Sequence, residues 1–457
     1  MDVITRESGG QILDLEKFGV QFRKRQGSFH MALMAGHTNP RNAFGDRAVG
    51  TDLTLPLRDY AANQGVTFKE GVLITGLLKT GDGVFGAVGI DNHGGVFVFI
   101  AKSVVLAVGG AGEIYLKTSN APGSTGDGFA MSYGVGVPLV DMEFIQFGVT
   151  GPHVEMFCAR EGAVIRNAEG ENILKKYDMD DPVKMTRDAV SRAIMMEILE
   201  GAAAEDETLT LDITPVPEAR IEAIRVLLPK NAPKEQRHFT VGLQSHYFMG
   251  GADINTATAT CIDGLFCAGE ICAGVNGANR LGGNALAEAF VFGKIAGQTA
   301  GHRALSGQTV QANDDQISTE IKKLKRLAAS AGHENIKELR RLLRTCMWKK
   351  AGVIRNEAGL KEALVEITSL KERFQSIFIE DPRDLTAAVR LNNMLTVSEM
   401  VVKSALLRTE SRGAHYRTDH PEEHNPEWLK HIVIAQKDGE MMVTTVPVDL
   451  SRLKPEG

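Results

Sequence analysis

An α/β fold, interrupted by an inserted α+β segment and followed by a helical region, is what the order of patterns along this chain predicts. Three observations carry that prediction. Glycine-rich, strand-like runs fill the stretch up to about residue 110 and return at 241–303. Between them, from about 144 to 240, charge is denser and the glycine-rich texture disappears. Beyond residue 304, apolar residues recur at helical spacing. The expected organisation is a discontinuous first domain (1–143 and 241–303), a capping domain (144–240), a helical domain (304–420) and a tail (421–457). A cleft beside such a cap is a usual place for a small ligand.

The elements follow in order. Residues 2–20 are expected to form a helix, with Ile4, Ile12, Leu15 and Phe18 apolar. A second helix is expected over 53–65, stopped by Gly65. Strands are expected at 66–78, 83–91 and 95–110. The last is rich in valine and stops at Gly109–Gly110. Ligands sit beyond the carboxyl ends of such strands, where glycine lets backbone approach closely. By itself this run is better read as a plain strand followed by a turn. "NAPKEQ" (231–236) reads as a surface loop, and 305–316 as a linker. "LKEALVEITSLKERF" (360–374) places Leu360, Leu364, Ile367, Leu370 and Phe374 on one helical face. "KKLKR" (322–326) reads as the solvated face of another helix. In the tail, "EMMVTTVPV" has strand character.

Composition narrows the function classes. The chain has 457 residues, a net charge of −6 and 48 glycines. That glycine share exceeds the ordinary value of about 7%. The acidic balance argues against nucleic acid as the main partner, because phosphate binding needs a basic footprint. No uninterrupted apolar run of about 18 residues is present, so no direct membrane span is expected. The first residues lack the basic start and apolar middle of a secretory signal. Five cysteines (158, 261, 267, 272 and 346) form no C-x-x-C pair, so no zinc or iron–sulfur framework is expected and the metal prediction is none. Their odd number and scatter suit reduced, buried thiols in a cytoplasm.

The densest chemistry lies in "GLFCAGEICAGVNGANRLGGNALAEAFVFGKIAG" (264–297). It reads as a strand over 264–268, a loop, and a helix from Asn284. Gly282 and Gly283 would let a ligand approach unpaired N–H groups at a helix start. Glu270, directly after the strand, suits ribose hydroxyls. Arg280, inside the glycine turn, presents a planar fork that matches a carboxylate.

This segment resembles the flavin-binding motif of the succinate dehydrogenase/fumarate reductase flavoprotein family, which includes L-aspartate oxidase. Four further stretches match in order: "TGDGFAMSYGVGVPLVDMEFIQF" (125–147), "MTRDAVSRAIMMEI" (185–198), "SHYFMGG" (245–251) and "LRTESRGAHYRTDHP" (407–421). The resemblance implies FAD as cofactor, contacted by Ala107, Val108, Gly109, Asp127, Glu270, Asn284, Ala285 and Leu286. It implies hydride exchange at flavin N5 and proton exchange through Arg187, with Glu161 in the relay. It implies that His246 and Arg280 bind a substrate carboxylate beside Gly282 and Gly283. An iron–sulfur electron-transfer subunit is the implied partner, with a cytoplasmic location and membrane association through partner subunits.

Four departures qualify the match. No G-x-G-x-x-G is present, so the chain is expected to start after the unit that holds the FAD pyrophosphate. "QFGVTG" (146–151) puts Gly148 where the family carries a substrate-binding histidine. "REGAVIRNAEG" (160–170) puts Arg160 in place of a threonine and Val164 in place of the relay arginine. Ala285 replaces a serine. One end of the substrate site is thereby kept, and Arg160 is the candidate clamp for the other. The expected activity is interconversion of a saturated and an unsaturated carboxylic acid of the succinate/fumarate type. An L-aspartate oxidase and a non-catalytic subunit remain as alternatives.

Overall fold

The computed structural model describes residues 2–451, apart from 33–36, 46–49, 82, 151–157, 159–160, 180, 182, 225–227, 229–230 and 307–310. In chain order the principal elements begin with α1 (Asp2–Lys17), α2 (Thr51–Asn63), β1 (Val72–Thr80), β2 (Gly83–Asp91), β3 (Val96–Ile100), β4 (Val104–Leu106) and α3 (Asp127–Gly134). Then come β5 (Val164–Arg166), α4 (Arg187–Leu199), β6 (Leu209–Asp212), β7 (His238–Val241), β8 (Leu243–Phe248) and β9 (Leu265–Cys267). The chain continues through α5 (Asn284–Leu305), α6 (Asp314–Ala328), α7 (Ile336–Lys350), α8 (Glu357–Phe374) and α9 (Pro382–Leu407) to β10 (Lys430–Lys437) and β11 (Glu440–Pro447). These elements sort into two compact units: Met1–Glu70 with Phe147–Gln244 and Arg280–Val291, and Gly71–Gln146 with Ser245–Asn279 and Phe292–Gly457.

In the first unit, Leu15, Val20 and Leu53 bury together, and Phe22, Leu57 and Phe290 pack on them. A three-stranded antiparallel sheet, β5–β6–β7, keeps Ile165 opposite Leu211 and Leu211 opposite Phe239. The alternation of buried and exposed residues on β7 is the period-2 signature of a half-buried strand.

The second unit holds an antiparallel sheet in which β2 lies between β1 and β3. Its inner face, Leu78, Phe85, Val88 and Ile90, packs against Leu324 of α6 and Leu385 and Val389 of α9. β4 and β9 run parallel, with Val104 opposite Leu265 and Leu106 opposite Cys267. The α5 helix is tied to this pair: Ser103 Oγ donates to the Ala300 carbonyl at 3.0 Å. Helices α6 to α9 each begin at an Asn or Asp, namely Asn313, Asn335, Asn356 and Asp381, whose side chain accepts a backbone N–H of the first turn. Such caps contribute about 1 kcal/mol each. The buried faces of α7, α8 and α9 carry Leu343, Met347, Leu360, Ile367, Met394 and Val401.

Several boundaries differ from the sequence reading. The first strand begins at Val72, because 66–71 is exposed and closes on Gly71 at φ 73°. The run 95–110 is two strands: it leaves the antiparallel sheet after Ile100 and enters the parallel pair at Val104. The run 305–316 includes the start of α6 at Asp314. In "KKLKR" only Leu324 turns inward, as the solvated-face reading requires. Cys261 is exposed, unlike the other four cysteines. No helix among the described residues is long and apolar enough to cross a membrane.

Candidate functional site

In the second unit, the parallel pair β4/β9 delivers two glycine turns at its carboxyl end. Gly109 has φ 71° and Gly269 has φ 79°. Both values lie in the left-handed region that glycine enters at no steric cost. Ala107 and Val108 are exposed directly after β4, with Val108 47% exposed. Gly110 is buried, and a Cβ there would collide with the Glu270 carboxylate. Glu270 Oε1 also accepts the Phe248 N–H at 3.0 Å, which fixes this carboxylate beside the turn.

Asp127 opens α3 after Gly126, whose φ is 81°. Its carboxylate is engaged within this unit: Thr125 Oγ1 donates at 2.9 Å and Asn393 Nδ2 at 2.7 Å. Burial raises its pKa above the usual carboxylate value. His246 lies on β8, with Nδ1 2.8 Å from Ser119 Oγ. Asn120 Nδ2 donates to the His246 carbonyl at 3.0 Å. Backbone and ring are thus both held by 119–120.

The loop ahead of Arg280 is anchored in the same unit. Gln146 Nε2 donates to Asn279 Oδ1 at 2.9 Å, and the Ala414 N–H donates to the Ala278 carbonyl at 3.0 Å. This places the two motifs "NGANR" and "SRGAH" in direct contact. In the same unit, Arg408, Arg417 and Arg355 are fully buried. Arg408 meets Glu143 at 2.7 Å and Glu410 at 3.0 Å.

The first unit holds Arg187, Arg280, Glu161 and the turn 282–286. Arg280 is 5% exposed, and its Nη1 lies 3.4 Å from the Leu281 carbonyl. Gly283 turns the chain at φ 88° into α5, whose first turn carries Asn284, Ala285 and Leu286. Leu286 is 53% exposed. Arg187 is the first residue of α4 and is half-buried. A cation there opposes the helix dipole, so local helix energetics do not select it. Glu161 is buried, and both its oxygens accept from Arg220, each at 2.8 Å. Gly148 is buried in the strand Ile145–Val149 and offers no side chain. Arg160 lies outside the described residues.

Two family models match: a FAD binding domain over residues 1–286, more than half of the chain, and a fumarate reductase flavoprotein C-terminal domain over 340–457. A fumarate reductase (CoM/CoB) subunit of Methanothermobacter marburgensis is 33% identical, over 95% of this chain and 82% of that protein. The chain belongs to the fumarate reductase/succinate dehydrogenase flavoprotein family. An uncharacterised FAD-dependent oxidoreductase of Methanocaldococcus jannaschii is 36% identical, over 96% of this chain and 83% of its own length. A solved variant of Escherichia coli quinol fumarate reductase superposes with a TM-score of 0.91 at 28% identity, covering all of this chain and 85% of that one. Adenylylsulfate reductase of Archaeoglobus fulgidus, at 21% identity and TM-score 0.72, shares the fold.

As a member of this flavoprotein family, the chain is a flavin-dependent oxidoreductase whose cofactor is FAD. The residues present fit that group. Val108 and Leu286 are apolar side chains left exposed beside glycine turns, each in its own unit. An apolar ring system covers such side chains favourably. The sequence reading did not single out Asn393, Gln146 and Ala414, each bonded to a partner more than 130 residues away. It also missed His37 and Asn42. Their stretch, "GHTNPRN", carries turn residues but no periodicity that would single them out.

Proposed function

We propose that this flavoprotein interconverts a saturated and an unsaturated carboxylic acid of the succinate/fumarate type. The observation that carries the reading is Arg280: an arginine 95% buried inside a glycine turn at the start of a helix. A buried guanidinium is stable only with anionic or hydrogen-bonding partners, and its fork matches a carboxylate. The chemistry that FAD supplies when bound is hydride exchange at N5 with one substrate carbon. In this reading Arg280 binds and orients a substrate carboxylate. His246, its ring held by Ser119, polarises the double bond. Arg187 hands the proton to or from the neighbouring carbon. An arginine serves there through position, since its ordinary pKa is above about 12. Glu161 resupplies that proton, and Arg160 binds the second carboxylate in place of the family histidine replaced by Gly148. Electrons are exchanged with an iron–sulfur partner subunit.

The test uses the FAD-loaded chain with reduced viologen as donor and fumarate as acceptor. Loss of the charge-assisted bonds in Arg280→Lys, at about 1.5–3 kcal/mol, lowers kcat/KM roughly 10- to 150-fold. A loaded chain that leaves viologen reduced, and whose flavin spectrum is unmoved by fumarate or malonate, refutes the reading. Turnover of L-aspartate instead would move it to the oxidase.

A further inference from the structure

The turn that carries Arg280 is gripped, within the first unit, by side chains from far upstream. His37 is 7% exposed, and its Nε2 lies 2.8 Å from the Gly282 carbonyl, 245 residues away. A carbonyl oxygen only accepts, so Nε2 carries the proton. Burial, assisted by the charge of Arg41, holds the imidazole pKa below its ordinary value, so the ring is neutral and Nδ1 is a bare acceptor. Nδ1 is buried with no hydrogen-bond partner among the described residues. Five residues on, Asn42 closes over the next glycine: a Cβ on Gly283 would collide with Asn42 Oδ1. Asn42 Nδ2 is likewise buried with no hydrogen-bond partner among the described residues.

A purely structural position avoids stranded polar atoms by using apolar side chains. Here one acceptor and one donor are stranded, both on residues that touch the same two-residue turn. We propose that His37 and Asn42 are positioning residues: they clasp Gly282–Gly283, set the backbone from which the Arg280 guanidinium projects, and leave Nδ1 and Nδ2 for a polar molecule bound at the turn. The inference rests on Arg280 being the carboxylate clamp. The bond from His37 to Gly282 restrains the carbonyl two residues after Arg280. The pressure of Asn42 on Gly283 restrains the φ of 88° that starts α5. Arg280 is thereby prevented from swinging with a flexible glycine pair.

Two variants separate positioning from bulk. His37→Gln places an amide N–H where Nε2–H stood, whereas His37→Asn places its amide at the Nδ1 position, short of Gly282. Amide hydrogen exchange across 281–290 is read on the FAD-loaded full chain, with flavin content and melting temperature measured alongside. The expected result is exchange about tenfold faster in H37N and within about threefold of native in H37Q, with both still folded and yellow. In fumarate turnover, H37N raises KM about tenfold with kcat held within about threefold, and H37Q restores it. Native exchange across 281–290 in H37N overturns the inference, whatever acid the chain reduces. The exchange response without any turnover keeps the clasp and overturns the activity reading instead. If H37N does not fold, Asn42→Ala is read in its place against the same expectations.

Discussion

Gly413→Ala is the substitution whose effect the structure specifies most fully. Gly413 sits at φ 53°, and a Cβ there would collide with the Ala278 carbonyl oxygen and come within 2.7 Å of its carbon and 2.9 Å of its Cβ. Two of those atoms are backbone and cannot rotate aside. The left-handed conformation costs an alanine about 1–2 kcal/mol. Forcing the two strands of chain apart costs about 1–3 kcal/mol more. The Ala414 to Ala278 hydrogen bond, 3.0 Å long, is stretched in the process. The sum is about 2–5 kcal/mol, or roughly 30- to 4,000-fold in the folding equilibrium if the second unit unfolds as one. Gly439 is the control. It has φ 84° in the turn between β10 and β11 with nothing within 4 Å of its Cβ position, so Gly439→Ala meets the conformational cost alone. Urea unfolding of both variants, followed by far-ultraviolet circular dichroism, compares them. The midpoint of G413A should fall well below that of G439A. Equal midpoints would show that the 412–415 loop does not press on the 276–279 loop.

Three further outcomes follow from the second unit. Arg408→Met leaves Glu143 and Glu410 buried without their shared cation, and should destabilise by about 3–5 kcal/mol; a shift under about 1 kcal/mol would mean the cluster is hydrated in solution. The His431 pKa is raised by its 2.6 Å bond to Asp141. A raised folded value means stability that is complete below about pH 6.5 and is lost as pH climbs through the folded pKa. His431→Asn should flatten that alkaline decline in thermal melts between about pH 6 and pH 9, and an unchanged slope would exclude the pair as its source. Asp419 is held at about 2 by its hydrogen bond to Arg417. A lowered folded value gives stability present above about 3.8 and lost as pH falls toward 2, so Asp419→Asn should shrink the loss on acidification through that window.

Much of the local structure was legible in the chain. The strand 83–91 and the helix beginning at Asn284 stand as expected, and 360–374 lies within α8. Each depends on a periodicity or a turn residue readable within a window of a dozen positions. The break at 101–103 was not legible, because valine and isoleucine run through it on both sides. The reason the chain turns there is the parallel partner β9, about 160 residues later. The engagement of Asp127 by Asn393 was hidden in the same way, as was the capture of Glu161 by Arg220.

By itself, then, the sequence determined the type and approximate place of most elements, the glycine turns, and the residue types available for chemistry. Its ordered motifs also determined the family. Only the tertiary structure decided which turn is gripped by which distant side chain: Gly282 by His37, Ala278 by Ala414, Gly110 by Glu270. The physical reason is that propensity and periodicity are local, while close packing joins residues whose separation along the chain leaves no trace in either.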